Sequence, residues 1–217
     1  MKQRALLFIF IFFLGCVVDR LLTFKHQLKN PVKYMDFNSA GVLRFHAPIL
    51  HLEDIALLTG IYPTSTTDHS ATYDFIRPEN PNYSFSYTLY FKDKKLAIID
   101  YPDVFYNAIE SSFAFDSLSL FGSADLPSNS NWQVKNKGQA MGGIPTKSEI
   151  LMILGPPSFK SRFNRETIFH YHYKHPIIKT KDETMQTIKI SITFNNQNNK
   201  IVAIFLQFPD RRWSIDI

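Results

Sequence analysis

Residues 52–75, LEDIALLTGIYPTSTTDHSATYDF, line up without a gap on residues 147–170, KSEILMILGPPSFKSRFNRETIFH. Ile55 falls on Ile150, Leu58 on Ile153, Gly60 on Gly155 and Thr72 on Thr167. Further on, residues 85–91 (FSYTLYF) match residues 188–194 (IKISITF), and KLAII matches KIVAI. A recurrence of this length reads as an internal duplication, and it argues against one large active-site fold. The shared positions are Ile, Leu, Gly and Phe, which are scaffold residues rather than chemistry-bearing ones.

Local signals give each copy its elements. Leu52 to Thr59 predicts a short helix ended by Gly60, a residue suited to a left-handed C-terminal cap. Pro63 and the Thr/Ser cluster after it confirm the break. Ala71 to Ile76 predicts a strand. Phe85, Tyr87, Leu89 and Phe91 alternate with Ser84, Ser86, Thr88 and Tyr90, the period-two pattern of a half-buried strand. Asp93-Lys94 then turns the chain into a partner strand over Leu96 to Tyr101. In the second copy, Thr146 and Glu149 form a capping box, and Gly155-Pro156-Pro157 stops the helix. Glu166 to Tyr173 predicts a strand with Phe169, Tyr171 and Tyr173 on one face. Ile188, Ile190, Ile192 and Phe194 alternate with polar residues, and an Asn-rich turn over Asn195 to Asn199 leads into Ile201 to Phe208. The expected fold is α+β: two tandem repeats, each a short helix packed on a small antiparallel sheet.

The chain has 217 residues, with 24 Lys and Arg against 19 Asp and Glu, a formal net charge of +5. That suits one or two domains with a real core. The basic residues are scattered, so nothing resembles the basic run of a nucleic-acid binder. A single cysteine rules out an intrachain disulfide. It stands at Cys16, after Lys2, Arg4 and an apolar stretch from Ala5 to Leu14, the arrangement of an export signal. The apolar run over residues 5–18 is shorter than the roughly 20 residues a helix needs to cross a bilayer. A short uncleaved anchor is the alternative.

These segments divide the chain. Residues 1–15 read as a signal peptide and 16–40 as a lipidated N-terminus and tether. Residues 41–103 read as the first unit, 104–139 as a connector, and 140–217 as the second unit. Within the connector, Phe105 to Phe115 fits a helix or a strand pair.

Phe13-Leu14-Gly15-Cys16 resembles the bacterial lipobox, in which the cysteine is lipidated and becomes the first residue of the mature protein. Phe and Leu stand where that motif prefers Leu and a small residue. Val17 follows in place of the Asp that often marks inner-membrane retention, so the resemblance implies the outer membrane. A second likeness rests on Gly143-Ile-Pro-Thr-Lys-Ser-Glu-Ile, Leu154-Gly-Pro-Pro, the aromatic strand, Ile192-Thr-Phe and Lys200-Ile-Val-Ala-Ile. Together these resemble the BamE (SmpA/OmlA) domain of small outer-membrane lipoproteins. It covers residues 143–205, with a weaker echo in the first copy. The related β-lactamase-inhibitor fold uses two such units in tandem. The resemblance implies a non-enzymatic envelope lipoprotein on the periplasmic face, anchored by lipid on Cys16. Its implied partners are envelope proteins, the β-barrel assembly machinery among them. An inhibitor-like periplasmic binding protein is the alternative.

Candidate chemistry is sparse. His170 and His172 share one strand face and are the metal candidates, with His175 or a distant carboxylate as a third ligand; the competing reading is a solvated strand face. Gly142 to Ser148 lacks P-loop spacing, and Pro145 removes a needed amide. No Gly-x-Ser-x-Gly elbow occurs, and Asp68-His69-Ser70 is contiguous, a poor geometry for a triad. Asn82-Tyr83-Ser84 matches a glycosylation sequon that a bacterial lipoprotein would not normally use. No cofactor and no catalytic residue is expected. Tyr83, Tyr87, Tyr90 and Tyr101 cluster in the first copy and are the candidate binding anchors, because aromatics serve as interface anchors; filling a thin core is the competing role.

Overall fold

The computed structural model describes residues 17–38, 41–102, 105, 109–124, 131–179 and 182–217, with the side chains of 177–179 and 182–184 outside that description. Helix α1 spans residues 17–29. After it come a single turn α2 (Pro31–Tyr34) and strands β1 (Met35–Phe37) and β2 (Val42–Phe45). Helix α3 (Leu52–Thr59) leads into β3 (Ser65–Thr66), β4 (Ser70–Phe75), β5 (Phe85–Lys92) and β6 (Lys95–Asp100). Helix α4 (Ser111–Ser123), β7 (Asn131–Lys135) and helix α5 (Lys147–Leu154) follow. The chain closes with β8 (Phe159–Phe163), β9 (Glu166–Lys179), β10 (Asp182–Asn195), β11 (Ile201–Gln207) and β12 (Arg212–Asp216).

The strands form two six-stranded sheets, ordered β1-β2-β6-β5-β4-β3 and β7-β12-β11-β10-β9-β8. All pairings are antiparallel except β12 with β7, which is parallel. This corrects the expected fold class. The protein is mostly β, built on two six-stranded sheets with few helices, and is not two tandem helix-on-small-sheet repeats. The gapless alignment already fails inside the strand. Ala71, Tyr73 and Phe75 are buried in β4, but the buried positions of β9 are Thr167, Phe169 and Tyr171. A shift of one residue moves a side chain to the other face of a strand.

Two further observations explain the correction. The strands that widen each sheet come from outside the aligned copies: β1 and β2 from before the first, β7 from the connector, β12 from the C-terminal end. Residues 17–38, read from the sequence as tether, are packed structure: Gln27, Leu28 and Met35 are buried. The two sheets also share one hydrophobic core, which runs from Leu28 and Leu43 through Tyr73 and Leu89 to Tyr171, Ile192 and Phe194. Neither sheet buries its apolar face alone.

Local chemistry sets the helix ends. The Asp54 carboxylate accepts from His51 N–H at 2.9 Å at the start of α3, and Gly60 at φ +70° closes its end. At α5, Thr146 N–H donates to Glu149 Oε2 at 2.6 Å and Glu149 N–H donates to Thr146 Oγ1 at 3.4 Å, the reciprocal box. Gly122 of α4 lies so close to α1 that a Cβ there would stand 2.3 Å from the Lys29 nitrogen. That close approach is what glycine permits.

Candidate functional site

Strand β8 reads Phe159-Lys-Ser-Arg-Phe163, a period-two pattern. It is the outermost strand of the second sheet, paired with β9 on one side only among the described residues. Phe159 and Phe163 are 48% and 68% exposed. Both sit on the face that His170 also occupies, since Phe159 is opposite His170 in the register. The Phe159 and His170 rings stack with centroids 4.1 Å apart, and His172 meets the same ring edge-on at 5.6 Å. Lys160 projects to the other face, its ammonium 5.2 Å from the Phe169 ring. An unpaired strand edge can be extended by a strand from another chain.

The histidines of β9 separate by parity. His170 and His172 face outward, whereas His175, an odd number of residues away, is fully buried on the opposite face. His170 is held between two hydroxyls, Ser161 Oγ at 2.8 Å from Nε2 and Ser191 Oγ at 2.9 Å from Nδ1. Burial first, and the neighbouring His172 charge second, lower its pKa below the ordinary histidine value. Among the described residues no three His, Cys, Asp or Glu side chains are grouped to hold a metal ion. His175 instead bridges the sheets: its Nδ1 lies 2.7 Å from Asp74 O and its Nε2 2.6 Å from Tyr62 O.

The four tyrosines are dispersed. Tyr90 is 42% exposed. Tyr87 stacks on Tyr73 at 5.0 Å and on Phe75 at 5.5 Å. Burial, and then the charges of Tyr73 and Tyr101, push its hydroxyl well above the ordinary tyrosine range. Tyr101 approaches Tyr87 at 6.3 Å and turns into the core. Tyr83 packs on the end of α5, where a Cβ at Gly155 would lie 2.5 Å from its ring. The structure thus groups Tyr87 with Tyr101 and sets Tyr83 and Tyr90 apart from them. Cys16 and the signal-like segment lie outside the described residues. Among the described residues no helix is long and apolar enough to cross a membrane.

Sequence reasoning missed Phe159 and Phe163, which the repeat alignment left in the loop after the helix stop. Their alternation was the available signal. It also missed Arg77, a buried cation just beyond β4. Arg77 Nη1 donates to Leu154 O at 2.5 Å, Nη2 donates to Pro156 O, and Nε donates to Glu79 Oε1 at 3.1 Å. Its guanidinium lies 5.1 Å from the Tyr171 ring. Burial raises the pKa of Glu79, but bonds from Ser158, its own backbone and Arg77 outweigh that and leave the carboxyl below its ordinary range. Comparison with protein-family models, with curated proteins and with solved structures finds no match.

Proposed function

We propose that the chain is a non-enzymatic protein of the bacterial envelope that docks another envelope protein along β8. An acyl group on Cys16 holds it at the periplasmic face of the outer membrane. The observation that carries the docking is the open edge of β8, with Phe159 and Phe163 exposed beside Lys160 and Arg162. Main-chain hydrogen bonds along such an edge supply affinity, and alternate side chains supply specificity. The anchor rests on Phe13-Leu-Gly-Cys16. Two acyl chains hold a protein stably where one does so marginally. By the BamE-like motifs, the partner class is the machinery that inserts β-barrel proteins.

A photo-crosslinker placed at position 163 in cells tests the edge. The expected outcome is a discrete adduct containing a barrel-assembly component, weakened about tenfold by Phe159→Ala as for an interface anchor. No adduct at 163 removes the edge reading. An adduct with a soluble enzyme replaces the assembly role by an inhibitory one. Labelling with palmitate tests the anchor separately: label is expected on the intact chain and absent from Cys16→Ala.

A further inference from the structure

Between the sheets lie two adjoining apolar lobes, each of about 400 Å³. Their walls share Tyr101 and Phe105 from the segment after β6, Leu118 and Phe121 of α4, Leu206 of β11 and Trp213 of β12. Protein interiors contain few voids larger than a water molecule. A lobe of this size falls within the range of small-molecule sites, which are concave, mostly apolar and supplied with a few placed polar groups. Neither lobe has an Asp, Glu, Lys, Arg or His side chain among its described lining residues. The part of a ligand that enters is therefore uncharged, because a buried charge without a partner is costly.

Two polar atoms in these walls are left without partners. Ser117 Oγ, in the first lobe, and Trp132 Nε1, in the second, are buried and make no hydrogen bond among the described residues. Buried donors of this kind call for an explanation. Both flank Phe121: Ser117 precedes it by one turn of α4, and its ring meets that of Trp132 at 5.4 Å. The two orphaned donors therefore lie by the wall that the lobes have in common. We propose that the inter-sheet lobes bind the acyl chain of a membrane amphiphile, with Ser117 and Trp132 donating to its neutral carbonyl oxygen. The polar head stays outside the lobes, where water solvates it. This site is distinct from the β8 edge and does not depend on it.

The test titrates the full chain with the methyl ester of cis-parinaric acid, a fluorescent acyl chain with a neutral carbonyl, and displaces it with lysophosphatidylcholine. Cys16→Ser is titrated in parallel, so that an acyl group attached to the chain is told apart from a bound one. Saturable one-to-one binding is expected. Displacement by the lysolipid assigns the occupant to a phospholipid, and failure to displace assigns it to a neutral acyl ester without a phosphate head. Binding by the Cys16→Ser form alone supports the site and assigns its occupant to the chain's own acyl group. Leu118→Trp, which fills the shared wall, is expected to weaken binding at least tenfold with unchanged far-ultraviolet circular dichroism. Ser117→Ala, which removes one hydrogen bond and leaves the apolar wall, is expected to weaken it about 3- to 10-fold. No saturable binding in either form overturns the proposal. So does affinity unchanged in a folded Leu118→Trp or in Ser117→Ala.

Discussion

Arg77 joins the halves of the molecule at a single side chain. It comes from the end of β4, yet two of its nitrogens serve the carbonyl oxygens of Leu154 and Pro156 at the end of α5. A cation at a helix C-terminus satisfies orphaned acceptors and complements the helix dipole. Replacing it with Met leaves those carbonyls without donors, at a cost of about 3 kcal/mol. Urea denaturation of Arg77→Met should show that loss, and a change under about 0.5 kcal/mol, the level of an ordinary surface substitution, would demote Arg77 to a bystander. Asp54 makes a parallel link nearer the N-terminus, bonding Arg20 of α1 at 2.7 and 2.8 Å. Burial raises its pKa, but the Arg20 and His51 hydrogen bonds and charges outweigh that and hold the carboxyl below its ordinary 3.8. A carboxyl depressed in the folded state stabilises above its unfolded pKa, and that contribution is lost as pH falls through the folded value. Stability should therefore drop below about pH 4, and Asp54→Asn should flatten that drop. An identical acid slope in the variant would show that other carboxylates govern it. At Gly155, φ is +68° and the Tyr83 ring occupies the space of a Cβ. Gly155→Ala should cost about 1–3 kcal/mol by strain alone, measurable as a lowered Tm.

At the scale of elements, legibility followed how local the cause was. Helices α3 and α5 were readable to the residue, because Gly60, Thr146 and Glu149 act within one turn. Thr146→Ala should accordingly cost about 1 kcal/mol in urea denaturation, and no loss would mean that packing alone holds α5. Strands β5 and β10 were visible through alternation. Helix α4 was ambiguous, because Phe113 and Phe115 alternate like a strand while Phe113, Leu120 and Phe121 recur like a helix; burial of Phe113 and Leu120 shows the helical face, and Gly122 on the opposite side lies against α1. Strand β7 carried a short alternation, Trp132 and Val134 between polar residues, but nothing in it named its partner. It pairs in parallel with β12, setting Trp132 beside Trp213, and its partner lies far along the chain. The candidate site divides the same way. The outward parity of His170 and His172 was legible, and the two serines that occupy His170 were not, because they come from neighbouring strands.

For the whole molecule, the shared core makes a specific demand. Both tryptophans, Trp132 and Trp213, lie in the second sheet, whereas far-ultraviolet circular dichroism reports both sheets. Sheets that bury one core and are pinned by the Ile76–Lys174 bridge should unfold together, so the two signals should give one coincident transition. Separate midpoints would mean two independent units. The helix ends and the faces of the long strands were legible along the chain, because interactions within a few residues set them. Long-range pairing brought in strands from the N-terminal region, the connector and the C-terminal end, widening each sheet to six strands. Tertiary packing also opened β8 at one edge, set Tyr87 and Tyr101 half-buried against the core, and left apolar lobes between the sheets. Those outcomes depend on which distant segments supply the missing half of a ladder or a core, and the periodicity of one segment does not name its partner.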